Sequence, residues 1–438
     1  MRITARKTLW RAVAAFAVTA TLGASLLACS ASDGSSSSGG TGSETIRVLS
    51  GSGTAAPEFQ AFDSIVKMYQ KEVDPKFKVE YETIPKTDDL WNKLRTYAVS
   101  DQLPDIFSIA NGPIADDLIK KHKILNMTQA LGDMGKLTQM NSALKDFFTS
   151  PDGNLYMIPA YRAGEMFLYR KDIFAKYGLS VPKTWDEFVA VCQKLKDNGV
   201  TPYVMRGADS VMLLRFLAFP SWTTSGGKFI TSVLGGKQKF SDGPLGADGA
   251  KLLNTLGTGG YFVPGYQNMT LSDVMEAFAG GQGAITYANT TFASKFEAQY
   301  ESGTVGYFGV PLDGTQSKST GSTFPVQGGK GWGINADAYK SNPVLKKFFD
   351  YYMKHVDQAL YQAGLLSWLD TPIPADKLPK MLVDIGTDIK DQKTGWVSWD
   401  DKLKPAVLTT MGDQANKLAA GAISPSEFLS SIDTAMAQ

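Results

Sequence analysis

Aromatic side chains recur beside charged or carboxamide ones along this chain, a combination that suits the binding of a polar ligand with apolar faces. Tyr161 and Arg162 stand just before Glu165, Arg206 stands three residues before Asp209 with Trp222 expected beyond a helix that follows, and Asn289 stands three residues before Phe292. Trp332 lies in a glycine-rich run, and Trp368 is two residues from Asp370. A saccharide presents apolar ring faces and a belt of hydroxyls, so a pocket for one needs aromatic platforms and charged or amide groups. Hydrogen bonds to charged partners contribute about 1.5–3 kcal/mol each, more than neutral ones. Material for catalysis is scarcer. His122 and His355 are the only histidines, which disfavours a histidine-rich metal site or an imidazole base. The 43 acidic residues could always supply the carboxylate pair of a glycoside hydrolase, but no spacing singles a pair out. Neither a cofactor nor a metal ion is expected.

The ends of the chain bear on where such a pocket would work. Arg2, Arg6, Lys7 and Arg11 precede an uncharged, largely apolar run from Ala12 to Leu27, too short for the roughly 20 residues that span a bilayer. The run ends in Leu26-Leu27-Ala28-Cys29, which resembles the lipobox of bacterial lipoprotein precursors. Residues 1–28 are therefore expected to be a signal peptide and Cys29 a lipidated N-terminus on the extracellular face of the membrane. Residues 29–44 follow as a linker in which Ser and Gly make up 11 of the 15 positions from Ser30 to Glu44. Such a composition behaves as flexible coil spanning roughly 20 Å. Without residues 1–28 the chain keeps 40 Lys/Arg against 43 Asp/Glu, near −3, which argues against a nucleic-acid partner. The body exceeds what one hydrophobic core supports, so two or more domains are expected. Cys192 continues the Trp185, Phe188, Val189 spacing of a buried helix face and reads as core.

The body opens with a β-α-β-α-β rhythm: a strand at Ile46–Leu49, a helix over Pro57–Val73, a strand at Lys78–Glu82, a helix over Asp88–Val99 and a strand at Asp105–Ile109. Open α/β sheets hold ligands at the carboxyl ends of their strands. That brings forward Ser52 and Gly53 in the loop Ser50–Thr54, and Asn111 after the third strand. Between Asp152 and Met205 the pattern reads strand, turn, strand, then a helix capped by Thr184 with Asp186 and Glu187 in its first turn.

In that stretch Asp-Gly-Asn-Leu-Tyr-Met-Ile-Pro (152–159), Leu-Tyr-Arg-Lys-Asp-Ile-Phe (168–174) and Pro-Lys-Thr-Trp-Asp-Glu-Phe (182–188) follow one another. Their order and spacing resemble the family 1 extracellular solute-binding proteins of ABC importers. Ala277–Ile285 resembles that family's segment before an inner strand, and Gly328–Asn335 its segment returning to the first lobe. The resemblance spans Ile46 to about Phe428. It implies a two-lobed α/β fold of the type II periplasmic-binding-protein kind, with three interlobe crossings near Ile158, Gly321 and Thr371. The N-terminal lobe would be residues 45–158 and 323–371, and the C-terminal lobe 159–322 and 372–438. It further implies a non-enzymatic monomer that captures a carbohydrate, most naturally an oligosaccharide, for membrane permease subunits.

The family pattern places cleft residues just past the first crossing, here Tyr161, Arg162 and Glu165. Where the family commonly has Gly-x-Trp, with the Trp stacked on sugar, this chain has Asn289-Thr290-Thr291, leaving Phe292 or another aromatic to replace the platform. Arg206 and Asp209, Trp222, Trp332, and the pair Trp368 and Asp370 at the third crossing complete the candidates, with Trp396 and Trp399 behind them. Gly328–Gly333 has no Ser or Thr after Lys330 and is not a phosphate loop. A secreted glycoside hydrolase, a receptor for a non-sugar solute and a purely adhesive role are the alternatives.

Overall fold

Two runs of β-branched and aromatic residues, each flanked by amphipathic helices, build two separate sheets. The computed structural model describes residues 45–208, 211–312, 324–392 and 399–437, so Cys29, Asp209, Gly321 and Trp396 lie outside the described residues. In the first sheet β1 (Thr45–Ser50) lies between β2 (Lys78–Thr83) and β3 (Ile106–Ile109), parallel to both. Parallel neighbours require crossovers, and the helices Pro57–Glu72 and Thr87–Val99 supply them. The sequence rhythm is thus reproduced within a residue or two at each boundary. β9 (Gly331–Ile334) closes the sheet antiparallel to β3.

The second sheet is centred on β4 (Ala163–Arg170). Around it lie β5 (Tyr203–Val204), β6 (Ile285–Asn289), β7 (Val305–Phe308) and β8 (Val326–Gln327), in the order β5-β6-β4-β7 with β8 paired to the start of β4. Phe167 in mid-strand is the hub of this lobe. Its ring stacks on Phe308 at 5.2 Å and meets Tyr287 at 4.9 Å, with Trp185, Phe188 and Phe219 around it. In the first lobe Phe62 packs on Trp332 at 4.9 Å and on Phe348 and Tyr352 of the helix Pro343–Gln362.

Three local expectations are corrected. No strand forms over Asn154–Pro159, where only isolated bridges join Leu155 to Thr149 and Ile158 to Trp332; Pro159 has no amide to continue a ladder. The second run ends as a strand at Arg170, whose guanidinium grips Asp172 at 2.6 and 2.8 Å, and Lys171–Lys176 is a helix. Trp222 lies inside the helix Val211–Ser225 rather than beyond it. Thr184 does cap the helix Trp185–Asp197 by accepting from the Glu187 amide at 3.2 Å, and Cys192 is fully buried.

The chain passes between the sheets in short extended pieces. Ile158 still bridges Trp332 of β9, whereas Ala163 and Gly164 already pair with Gln327 and Val326 of β8. The return from β8 to β9 takes only residues 328–330, beyond the position expected near Gly321. A third passage follows the helix Pro343–Gln362, where Leu366 bridges Arg162 and Leu369 bridges Met140.

Several carboxylates are held below their ordinary pKa. Asp172 is held down by its hydrogen bonds from Arg170. Burial alone would raise Glu82 and Asp384, but Tyr97 and Lys93 outweigh it at the first, and Lys380 and Tyr300 at the second. For a depressed carboxylate the stabilisation is complete above the unfolded-state value near 4 and is lost as pH falls through the folded-state value. The melting temperature should therefore hold between pH 6 and 7 and decline below about pH 5, with a shallower acid limb in Asp172→Asn, as thermal denaturation at graded pH would measure.

Candidate functional site

The carboxyl end of β1 turns through Ser50-Gly51-Ser52, a loop tied down by its own side chains. Ser50 Oγ donates to the Ser52 carbonyl at 2.9 Å and accepts from the Ser52 amide at 3.1 Å. The Gly51 amide donates to Ser108 Oγ on β3 at 2.8 Å. Ser52 Oγ donates to Glu58 Oε1 at 2.5 Å, fixing a carboxylate in the first turn of the helix Pro57–Glu72. A side chain at residue 51 would place its Cβ 2.7 Å from Leu90 and 2.9 Å from Cδ of Lys330, so glycine makes room for the lysine stem. Gly329, at φ +60°, sets the neighbouring turn; a Cβ there would lie 2.7 Å from the Tyr161 hydroxyl.

These residues border a depression of about 730 Å³ between the two sheets. Ser52, Glu58, Thr87, Ser108, Lys330 and Trp332 line it from the first-sheet side, with Ala160 and Tyr161 from the first passage, Gln327 and Gly329 around the second, and Arg215 from the second lobe. Arg215 is the one charged residue in the otherwise apolar or neutral helix Val211–Ser225, and it is 6% exposed. Its Nη1 donates to Asp400 Oδ1 at 3.1 Å, and its Nη2 lies 3.7 Å from Glu165 Oε1. Glu165 also accepts from the Tyr287 hydroxyl at 2.7 Å and from Gln327 Nε2 at 3.0 Å. A carboxylate so enclosed is stable only because each oxygen has partners. Burial, with the nearby Glu58 and Glu165 carboxylates, holds the Tyr161 phenol above its ordinary pKa, so it stays a neutral donor.

A second depression, of about 720 Å³, adjoins the first and shares Thr87 with it. Trp91, Arg95, Pro113 and Ile114 form one wall, and Asp400, Leu403, Lys404 and Leu408 the other. Asp400 thus borders the second depression while holding Arg215, which borders the first.

Among the expected residues, Ser52, Tyr161 and Trp332 meet in one cavity, and Glu165 stands one layer behind it. The others are placed elsewhere. The Gly53 carbonyl caps the Ala56 amide at 2.9 Å. Asn111 donates to the Phe147 carbonyl at 2.8 Å, so its amide braces the loop while its neighbours Ala110 and Gly112 face the second depression. Arg162 points away from its neighbour Tyr161, as alternation along an extended segment requires. It pairs with Asp370 at 3.0 Å, and Asp370 also accepts from Asn141; both line a separate depression with Thr371 and Pro372. Trp222 and Trp368 are 3% and 0% exposed and belong to the core. Asn289 caps the short turn Thr290–Phe292 through the Thr291 amide, Phe292 packs partly buried against the core, and half-buried Arg206 lines neither depression.

Glu58, Thr87, Ser108, Gln327, Lys330 and Arg215 also line the first depression, and the sequence reading missed them. For Arg215 a signal existed, since a lone charge in an apolar helix must be paired or functional. Among the described residues no group of three His, Cys, Asp or Glu side chains is arranged to hold a metal ion.

Gly329→Ala should cost about 1–2 kcal/mol through its left-handed backbone alone and should also displace the Tyr161 hydroxyl. Gly53→Ala, whose Cβ would meet only Pro85 at an ordinary 3.6 Å, should stay within about 0.5 kcal/mol of the parent. Urea denaturation midpoints of the two variants would measure the contrast.

The fold is shared with known proteins. A multiple sugar-binding protein of Streptococcus mutans is 25% identical over 274 residues, 60% of this chain and 61% of that protein, so the chain spans about three fifths of the relative it matches. A solved structure described for xylan utilization by the thermophile Caldanaerobius polysaccharolyticus superposes with a TM-score of 0.74 at 21% identity, covering 89% of this chain and 99% of the other. A sugar transporter structure from Bacillus licheniformis in complex with stachyose gives 0.66 at 17% identity, over 89% and 98% of the two chains. Among the described residues no helix is long and apolar enough to cross a membrane. The model of the bacterial extracellular solute-binding protein family matches residues 53–359, and this chain belongs to that family.

Proposed function

We propose that the chain is the capture subunit of an ABC importer, tethered through lipid on Cys29, which encloses a carbohydrate between its lobes and delivers it to membrane permease subunits. The observation that carries this reading is the cavity between the sheets. There the rings of Tyr161 and Trp332 accompany a fixed carboxylate, Glu58, a pre-positioned guanidinium, Arg215, and the amide of Gln327. Aromatic faces beside charged and amide groups held in place before the ligand arrives are what a polyhydroxylated ring requires. The names of the relatives, a multiple sugar-binding protein and a stachyose-bound sugar transporter, point to the same ligand class. Residues 45–158 with 331–371, and 163–327 with 372–438, are the lobes we assign, with hinge motion at the three passages closing them. Arg162 and Asp370 act at that hinge rather than on the ligand.

Calorimetric titration against mono- and oligosaccharides should give one-to-one binding without turnover, whereas release of reducing ends would overturn the reading in favour of a hydrolase. Tyr161→Phe removes one neutral hydrogen bond and should weaken binding by about three- to tenfold with the fold intact. Trp332→Ala is a poor probe, because the ring also packs on Phe62 and its loss should cost about 3–5 kcal/mol of stability. Cys29→Ser, followed by fractionation of the producing cells, should move the protein from the membrane to a soluble fraction; continued membrane association would exclude the lipid tether.

A further inference from the structure

We infer that the amino-terminal edge of the first sheet is a membrane-contact surface, which rests on anionic phospholipid headgroups and turns the binding loops away from the bilayer. The inference rests on the lipid-tether reading above and adds which face of the body meets the membrane. Parallel β-α-β connections decide what this edge contains. β1, β2 and β3 run the same way, so the helices Pro57–Glu72 and Thr87–Val99 start near the carboxyl ends of the strands and run back to the amino ends. β9 is antiparallel to β3, with Ile334 paired to Ile106, so its exit lies at the same edge. Lys123, after the helix Pro113–Lys120, reaches Asp101 at 2.8 Å and Asp337 at 3.0 Å and ties three of these connections together. The proposed tether, residues 29–44, joins the body at Thr45, the first residue of β1, and so enters at this edge too.

Positive charge and exposed apolar surface are both gathered here. The four connections 71–78, 99–105, 120–123 and 335–347 carry nine lysines against five carboxylates, whereas the chain without residues 1–28 has 40 Lys/Arg against 43 Asp/Glu. Most of those carboxylates are engaged within the protein. Asp101 and Asp337 hold Lys123, Glu72 accepts from the Tyr351 hydroxyl at 2.6 Å, and Asp105 accepts from the Arg47 amide at 2.7 Å. Lys71, Lys76, Lys78, Lys120 and Lys340 are exposed, and among the described residues none of them has a carboxylate in ion-pair reach. Val73 and Val99, at the ends of the two crossover helices, are the exposed large hydrophobics among the described residues, at 48% and 84%. A lone exposed valine needs no explanation. Two of them among unpaired lysines match a headgroup layer, with ammonium groups on the phosphates and short apolar side chains at the boundary beneath. A cation feels such a surface only within a Debye length, about 8 Å at physiological salt. A coil spanning roughly 20 Å keeps returning the edge to that range, because the tether makes docking an intramolecular event. β1 is six residues long, about 20 Å, so the Ser50-Gly51-Ser52 loop stands on the far side of the sheet from the lipid. A seated receptor therefore presents its binding loops to arriving solute and must lift off the lipid before they can turn to a permease.

The test uses residues 29–438 carrying Cys29→Ser, which removes the acyl site and leaves the patch alone, in co-sedimentation with vesicles of phosphatidylglycerol mixed with phosphatidylcholine. The parent should bind these about tenfold or more tightly than pure phosphatidylcholine. Raising salt from about 0.05 M to 0.5 M, which shortens the Debye length roughly threefold, should abolish the difference. Lys76→Glu, Lys78→Glu and Lys340→Glu together should weaken binding about tenfold or more, while the same reversal at the exposed Lys183, Lys194 and Lys237 of the second lobe should leave it within twofold. Val99→Trp should show a blue-shifted emission on the anionic vesicles. Equal binding to neutral vesicles, or equal weakening by the two triple variants, overturns the surface. Binding to inorganic polyphosphate as tight as to vesicles, with no shift in Val99→Trp, overturns the bilayer in favour of a soluble polyanion. Cell fractionation at high salt, which strips the patch, reads the Cys29 tether alone, so the tether and the surface can fail separately.

Discussion

The guanidinium of Arg215 is the constraint around which the second lobe is arranged. One charge in the helix Val211–Ser225 is buried to 6% exposure, a placement that would be prohibitive without the two carboxylates that receive it, Asp400 at 3.1 Å and Glu165 at 3.7 Å. Glu165 in turn is satisfied by Tyr287 on β6 and Gln327 on β8, so the network ties a helix, three strands and the turn Trp399–Lys402 to one point at the floor of the cleft. Removing the guanidinium would leave both buried carboxylates without their cation, a loss of about 3–5 kcal/mol. The arrangement therefore fixes the floor of the cavity before a ligand arrives, which lowers the ordering cost of binding.

The first lobe reaches the same end with neutral groups. Its loop Ser50-Gly51-Ser52 is held by hydroxyls and backbone amides, and it delivers the Glu58 carboxylate by a 2.5 Å hydrogen bond from Ser52. Two glycines give the space: residue 51 for the stem of Lys330, and residue 329 for the ring of Tyr161. The cleft thus joins a lobe whose groups are positioned by charge pairing to one whose groups are positioned by turn geometry.

Much of this was readable from the chain. The β-α-β-α-β opening, the Thr184 cap and the core role of Cys192 follow from periodicities of 2 and 3.6 and from local capping chemistry, which depend on neighbours in sequence. The site was only partly readable, for a physical reason. Whether a polar residue faces a ligand or a neighbour depends on partners far away in sequence: Asn111 is taken by Phe147, Arg162 by Asp370, and Asn289 by its own turn. Trp222 and Trp368, large and aromatic, were natural candidates for a platform, yet burying such rings stabilises the core more than exposing them serves a ligand. Conversely Glu58 and Gln327 stand in unremarkable local sequence, and only the convergence of the two sheets makes them neighbours.

Cys192 adds a different use. Its thiol is fully buried in the helix Trp185–Asp197, and burial pushes its pKa well up, so in the folded protein it is neither exposed nor ionised. Alkylation can proceed only when the second lobe opens, because the thiolate is the reactive form. The sulfur is therefore a clock for opening of that lobe: its labelling rate against added thiol reagent reports the free energy of the event that exposes it, in the native protein and without denaturant.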